Sequence, residues 1–148
     1  MSIKALRAAI LLSAVLAVPV MAKDITVQMK SQGAAGMMVF EPSLVKANVG
    51  DTIHFVPTDP SHNAEPIPSM LPDGVTAPAG AMNKEYILTL TKPGLYGIKC
   101  KPHYTMGMVA LIKAGKGAAP NAAAAAAAAA KLPPLAGKRM APMLAEAK

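Results

Sequence analysis

The sequence has a single cysteine, Cys100, among its 148 residues. One thiol cannot form an internal disulfide, so the fold must be stabilised by a hydrophobic core and not by cross-links. A lone cysteine is therefore a buried inert side chain, an intermolecular partner, a metal ligand or a nucleophile. The identity and spacing of the residues around Cys100 therefore indicate which of these roles applies.

Aromatic residues and clusters of basic residues are also scarce. There is no tryptophan, aromatic residues make up 3% of the chain, and the 15 basic residues form no run. Nucleic-acid-binding proteins usually combine a basic patch with aromatic side chains, so this class is not indicated. The net charge of +7 instead favours a protein partner with an acidic face.

A long hydrophobic run is missing as well. The apolar run at residues 8–21 is too short for a comfortable membrane span, and Lys4 and Arg7 precede it. Small or compact residues, Val20-Met21-Ala22, occupy the cleavage-site positions. We predict a cleaved signal peptide over residues 1–22, with an uncleaved anchor as the alternative. Cleavage leaves 148 − 22 = 126 residues with a net charge of 7 − 2 = +5, enough for one domain in an oxidising compartment.

Short segments separated by turns dominate the first two thirds of the chain. Alternation of apolar and polar residues predicts β-strands at residues 24–30 and 52–56. We predict further strands at residues 44–49, 86–91, 95–100 and 108–114, and a short apolar run lies at 37–40. Turn signals separate them, which predicts an all-β sandwich or barrel of antiparallel type over residues 23–115. We predict that residues 57–80 form a long loop with at most one helical turn. Loops of that length are often functional.

The composition changes after Gly115. Nine alanines at residues 122–130 follow Asn121, a good N-cap, and Pro133-Pro134 end this predicted helix. A second helix is predicted at residues 142–147, with Pro142 in its first turn. We expect residues 116–148 to pack on the same domain as a helical extension. The alternative is a frayed low-complexity tail.

The spacing around Cys100 is the most informative feature of the chain. Two residues separate Cys100 from His103, and four separate His103 from Met108. Two histidines, one cysteine and a weak axial methionine form the electron-transfer copper site. Spacing favours Met108 as the axial ligand but does not exclude Met106.

Such a site needs a second histidine. His54 lies between Ile53 and Phe55 on a predicted strand, so we expect its side chain to face away from the core. His62 lies in the polar loop, from which it can reach the rim of a sandwich. We therefore expect His62 to be the second imidazole ligand.

The segment CKPHYTMGM, residues 100–108, resembles the copper loop of the cupredoxins, and in particular that of the pseudoazurins. The resemblance includes residues 37–57, 62–67 and 85–100 and covers essentially all of residues 23–114. Plastocyanins share the spacing of the cysteine, histidine and methionine, but the amino-acid sequence of this loop and the helical tail favour pseudoazurins. The resemblance implies a Greek-key β-sandwich with two C-terminal helices.

The resemblance also implies the roles of individual residues. It makes His62, Cys100, His103 and Met108 the ligands of one type 1 copper ion that cycles between Cu(II) and Cu(I). It makes the Asn63 backbone N–H a donor to the cysteine sulfur and places Met38 beside the ring of His103. Members of the family also carry many lysines around the site. Here Lys99 and Lys101 flank it, but residues 57–82 contain no lysine, so basic steering is reduced.

The resemblance implies a monomeric periplasmic electron carrier that is not an enzyme and, once processed, has no membrane association. Its expected acceptors are nitrite or nitrous oxide reductases, and its expected donors are c-type cytochromes. Copper trafficking or storage is the alternative, for which the eleven methionines are a mild hint. A copper enzyme would need a further open site, and a structural zinc site would prefer more Cys and His ligands.

Overall fold

The computed structural model describes residues 21–148, so the predicted signal peptide lies, apart from Met21 and Ala22, outside the described residues. This part of the chain forms eight strands and two α-helices. The strands are β1 (Asp24–Gly33), β2 (Gly36–Glu41), β3 (Leu44–Ala47), β4 (Thr52–Pro57), β5 (Glu65–Pro66), β6 (Tyr86–Thr89), β7 (Gly94–Lys99) and β8 (Val109–Ala114). The helices are α1 (Ala122–Ala129) and α2 (Pro134–Glu146), and a 3₁₀ turn at Pro68–Met70 supplies the predicted helical turn of the long loop.

The strands form two four-stranded sheets, in the orders β2-β1-β4-β6 and β3-β8-β7-β5. The predicted sandwich with two C-terminal helices is confirmed, but the prediction that its strands are purely antiparallel was wrong. β1 runs parallel to β4, with Ile25 opposite Ile53, and β3 runs parallel to β8, with Leu44 opposite Leu111. Parallel neighbours of this kind are joined by long connections, which local alternation cannot reveal.

The two central strands of the second sheet are buried on both faces. Tyr96, Ile98 and Ile112 pack into the core between the sheets. Leu95 and Leu111, which alternate with them, pack into a second core beneath the helices. Successive side chains of a strand point to opposite faces, so one strand contributes to both cores. This two-sided burial explains the near-continuous apolar sequence of β8.

Helix α1 packs on the sandwich through three of its alanines, Ala125, Ala128 and Ala129. Asn121 was predicted to cap it, but its side chain makes no capping hydrogen bond. Instead Oδ1 accepts a hydrogen bond from the Leu95 N–H at 2.8 Å, and Nδ2 donates to the Leu95 carbonyl at 2.9 Å. The amide thus imitates a paired strand residue and attaches the start of α1 to β7.

Helix α2 begins at Pro134, so the prediction that it begins at Pro142 was wrong. Ala136, Met140 and Met143 are buried at the four- and three-residue spacing of one helical face. Pro142 lies inside the helix, where a proline costs about 3 kcal/mol or more. Burial of the apolar face, at about 1.5–3 kcal/mol for each large side chain, offsets that cost.

Among residues 21–148, no helix combines the length and the apolar composition needed to cross a membrane.

Candidate metal centre

Two separated loops bring three potential ligands together. His62 lies between β4 and β5, while Cys100 and His103 follow β7. The Nδ1 atoms of the two histidines are 3.2 Å apart. The sulfur of Cys100 lies 3.8 Å from His62 Nδ1 and 3.6 Å from His103 Nδ1. We call these three residues the His–Cys–His cluster.

These distances fit a shared metal ion. Nitrogen and sulfur ligands bind first-row ions such as zinc at about 2.0–2.3 Å, so a trigonal set lies roughly 3.5–4 Å apart. The sulfur–nitrogen separations match this range, and the nitrogen pair is slightly closer. Two imidazoles and one thiolate are also the donors that electron-transfer copper prefers. The cluster is therefore suited to copper.

Ser31 orients the buried ring of His62. The Ser31 Oγ lies 3.1 Å from His62 Nε2, the nitrogen that does not face the cluster. Asp59 Oδ2 in turn accepts a hydrogen bond from the Ser31 N–H at 2.7 Å. When Nε2 donates its proton to the hydroxyl oxygen, Nδ1 keeps a lone pair directed at the cluster.

The electrostatics of His62 favour the neutral ring that a metal requires. Burial lowers its pKa most, and the nearby His103 lowers it further, while Asp59 acts in the opposite direction. A neutral imidazole offers a lone pair, whereas an imidazolium does not. His62 is thus prepared as a ligand over the neutral pH range.

The thiol of Cys100 is held in its protonated form when no cation is near. Burial raises its pKa most, and hydrogen bonds from the Asn63 and His103 backbones oppose that effect. The Asn63 contact is the one that the resemblance implied. A metal ion supplies the positive charge that deprotonates a coordinating thiol, so proton release accompanies metal binding.

The side chain of Asn63 ties the two ligand loops together. Its Oδ1 accepts a hydrogen bond from the Lys101 N–H at 2.8 Å. Its Nδ2 donates to the Gly80 carbonyl at 3.0 Å and to Glu65 Oε1 at 2.9 Å. This buried amide therefore fixes the relative position of the loops that carry His62 and Cys100.

The two candidate axial methionines lie in different environments. Met108 is fully buried and packs in the same core as Cys100, whereas 41% of the Met106 surface is exposed. The Met108 N–H donates to the His103 carbonyl, and its own carbonyl accepts from the Cys100 N–H. The backbone of Met108 is thus hydrogen-bonded to both of the other candidate ligands in this loop, Cys100 and His103.

Met38, implied to contact the ring of His103, packs against the same core. Its backbone is left-handed, with φ +51°, an uncommon conformation for a residue other than glycine.

His103 and His54 complete the set of histidines. The His103 ring is half-buried and meets the His62 ring edge-on at 4.9 Å between centroids. His54 lies on β4 away from the His–Cys–His cluster. Its ring nitrogens lie 2.6 Å from Glu85 Oε1 and 3.3 Å from Asp24 Oδ1.

Comparison with known proteins identifies the family. Residues 27–115 match the model for "copper binding proteins, plastocyanin/azurin family". The chain is 48% identical over 131 residues to a pseudoazurin of Paracoccus pantotrophus, covering 88% of each chain. The chain belongs to the pseudoazurins.

Other relatives agree with that placement. A putative pseudoazurin of Rhizobium leguminosarum bv. viciae is 42% identical over 130 residues, covering 88% of this chain and 84% of that one. The crystal structure of pseudoazurin from Methylobacterium extorquens AM1 superposes with a TM-score of 0.79 at 41% identity, covering 84% of this chain and 99% of that one. Membership of this family supports copper as the cofactor and a blue copper electron carrier as the general function.

Two residues near the centre were missed by sequence reasoning. Ser31, which contacts His62, and Arg139, which contacts the loop before Met108, lie far from their partners in sequence. Neither residue belongs to a ligand motif, and no local pattern marks it. Only the topology of the sandwich brings them to the centre.

Proposed function

We propose that the chain is an electron carrier, and not an enzyme, that holds one copper ion through His62, Cys100, His103 and Met108. The observation that carries this proposal is the burial pattern of the His–Cys–His cluster. His62 and Cys100 are fully buried, their donor atoms face each other, and His103 alone reaches the surface. Such a site excludes water and substrate but leaves one ring edge open to a partner.

The protein's contribution is to hold the ligands still. Ser31 fixes one imidazole, Asn63 fixes the two loops, and Met108 is bonded by its backbone to the same loop. When bound, copper supplies a one-electron couple between Cu(II) and Cu(I). Because the side chains sit in a close-packed core, they move little when the charge of the centre changes.

We further propose that redox partners dock around His103. Pro102 and Met106 are exposed beside it and present apolar surface. Lys101 is exposed and offers positive charge, whereas Lys99 Nζ lies 3.8 Å from Glu65 Oε2 and 4.9 Å from the centre of the Tyr104 ring. Such a surface suits brief contact with proteins whose docking faces carry negative charge.

The proposed setting is the periplasm. A signal peptide cut after Ala22 would leave a monomer whose sandwich covers residues 23–115 and whose helical extension covers residues 116–148. There the carrier would take electrons from c-type cytochromes and pass them to a denitrification reductase, such as nitrite or nitrous oxide reductase. These partners are what the resemblance to the family implies, and the basic charge of the mature chain favours partners with an acidic face.

Reconstitution with copper tests the ligand assignment. We expect purified protein to bind one Cu(II), turn blue, and lose and regain colour through cycles of ascorbate reduction and reoxidation without releasing copper. Met108→Leu should alter the absorption spectrum, while the matched Met106→Leu should not. A spectrum that changes with Met106 and not with Met108 would reverse the axial assignment.

Competition with a Cu(I) chelator separates electron transfer from copper trafficking. A trafficking protein should hand Cu(I) readily to a competing chelator, because its site must be open. The buried cluster instead predicts slow release in both oxidation states. Rapid loss of Cu(I) to a chelator, with no stable blue form, would favour trafficking.

A further inference from the structure

Arg139 joins the second C-terminal helix to two segments beside the metal centre. Its Nη1 donates to the Met38 carbonyl at 2.8 Å and to the Gly107 carbonyl at 3.1 Å. Its Nη2 donates to the Met37 carbonyl at 2.9 Å. One half-buried guanidinium therefore binds three backbone carbonyls from two distant parts of the chain.

Both segments bound by Arg139 lead directly to the centre. Gly107 precedes Met108, and Met38 packs against the core that contains Cys100 and Met108. Among residues 21–148, the ion pairs do not include Arg139, so no carboxylate there draws the guanidinium away from these carbonyls. Hydrogen bonds from a charged donor are stronger than those between neutral groups.

Helix α2 also fits closely against the loop. Gly107 has φ +86°, and a Cβ there would lie 3.1 Å from both the Arg139 Cδ and the Leu135 carbonyl oxygen. The positive φ favours glycine at this position, and a side chain there would also be tightly packed against the helix.

The peptide group between Gly107 and Met108 is held from both ends. Arg139 binds its carbonyl, and the His103 carbonyl accepts its N–H at 3.1 Å. The orientation of this peptide plane determines where the Met108 side chain begins. We propose that Arg139 is a positioning residue for the metal centre, which sets the placement of Met108 and Met38 relative to the His–Cys–His cluster. This inference rests on the proposed role of Met108 as a ligand.

The test compares Arg139→Ala and Arg139→Lys with two controls on the same helix. Lys138→Ala changes an exposed neighbouring cation, and Met140→Ala removes a fully buried side chain of the α2 face. The first readout is amide hydrogen exchange at Gly107 and Met108 in the metal-free protein. We expect Arg139→Ala to accelerate exchange there roughly tenfold or more, because bonds to a charged donor are lost.

The second readout uses the copper-loaded protein. Arg139→Ala should shift the visible spectrum and the reduction potential, and Arg139→Lys should give a smaller shift because it keeps the charge but not the fork of donors. Met140→Ala should lower the unfolding midpoint and leave the spectrum unchanged. Lys138→Ala should change neither.

Two results would overturn the proposal. One is a spectrum, a potential and a loop exchange in Arg139→Ala that match the wild type. The other is an equal spectral shift in Met140→Ala, which would assign the effect to general loosening of α2. Failure of the proposed function is a separate result, because the wild-type protein itself would then show no blue copper centre.

Discussion

The Oγ of Ser31 lies 3.1 Å from Nε2 of His62, while the other nitrogen of that ring faces Cys100 and His103. The hydroxyl therefore fixes the rotation of the ring and the nitrogen that is free to bind a metal. Loss of an outer hydrogen bond of this kind typically weakens metal binding about 10- to 100-fold. Ser31 is the most direct link between the first strand and the centre.

We expect Ser31→Ala to lower copper affinity within that range, while the change in stability of the metal-free protein stays near 1 kcal/mol. Competition with a chelator of known affinity measures the first quantity, and urea unfolding measures the second. Ser31→Thr keeps the hydroxyl and serves as the control. Equal copper affinity in wild type and Ser31→Ala would show that packing alone holds the ring.

His54 gives the protein a pH-dependent contribution to stability that is independent of copper. Hydrogen bonds to Glu85 first, and then to Asp24, raise its pKa above 6.5. The folded state therefore binds the proton more tightly than the unfolded state does. The stabilisation is complete below about pH 6.5, the unfolded value, and disappears as pH rises through the raised folded value.

His54→Gln tests this contribution. The difference in melting temperature between wild type and variant should be largest near pH 5.5 and should shrink above the folded pKa, while the blue colour stays intact. A difference that does not vary with pH would contradict the ion-pair account, and loss of colour would contradict the assignment of the histidines.

Asn121 should be important for stability but not for the spectrum. Its replacement by alanine removes two hydrogen bonds and leaves the buried Leu95 N–H and carbonyl without partners. Such a loss costs roughly 2–4 kcal/mol in total. Urea unfolding of Asn121→Ala, with the exposed Lys116→Ala as control, measures it. A loss no larger than that of the control would indicate that water replaces the amide.

The two lysines beside the site should contribute unequally to electron transfer. Lys99 lies next to the carboxylate of Glu65, whereas Lys101 is exposed. We expect Lys101→Gln to slow oxidation by the anion hexacyanoferrate(III) about twofold at low salt, and Lys99→Gln to have less effect. Stopped-flow rates at increasing salt should converge, since screening removes the difference. Equal rates for the two variants at low salt would contradict this ranking.

The sequence was most informative where a local pattern determines a local structure. Alternation correctly indicated β1 and β4, and the spacing of Cys100, His103 and Met108 identified the loop that carries the centre. A few residue types at fixed offsets are enough to predict the local structure in these cases, because the chain has little conformational freedom over so few residues.

Longer-range features could not be predicted in this way. The strand β5 is only two residues long, and the parallel pairing of β1 with β4 depends on the path of the whole chain. Helix α2 begins at Pro134, eight residues before the start predicted at Pro142, because Pro142 lies inside the helix and not in its first turn. The spacing of Ala136, Met140 and Met143 was available in the sequence and would have indicated the longer helix.

At the metal centre, too, local features could be predicted from the sequence and long-range contacts could not. Its ligand types could be inferred from the sequence, whereas three of the contacts that support it join residues far apart in the chain. Ser31 and His62 are 31 residues apart, Asn63 and Lys101 are 38 apart, and Met37 and Arg139 are 102 apart. These contacts depend on tertiary packing and leave no local signature.

The central claim is that Cys100 binds copper as a thiolate inside a closed site. Its most direct test is the visible absorption of the oxidised protein loaded with one equivalent of Cu(II), compared with that of Cys100→Ser. We predict an intense blue absorption band in the wild type and its loss in the variant, because serine offers no sulfur. A colourless wild type with copper bound, or a spectrum that the substitution leaves unchanged, would contradict the account.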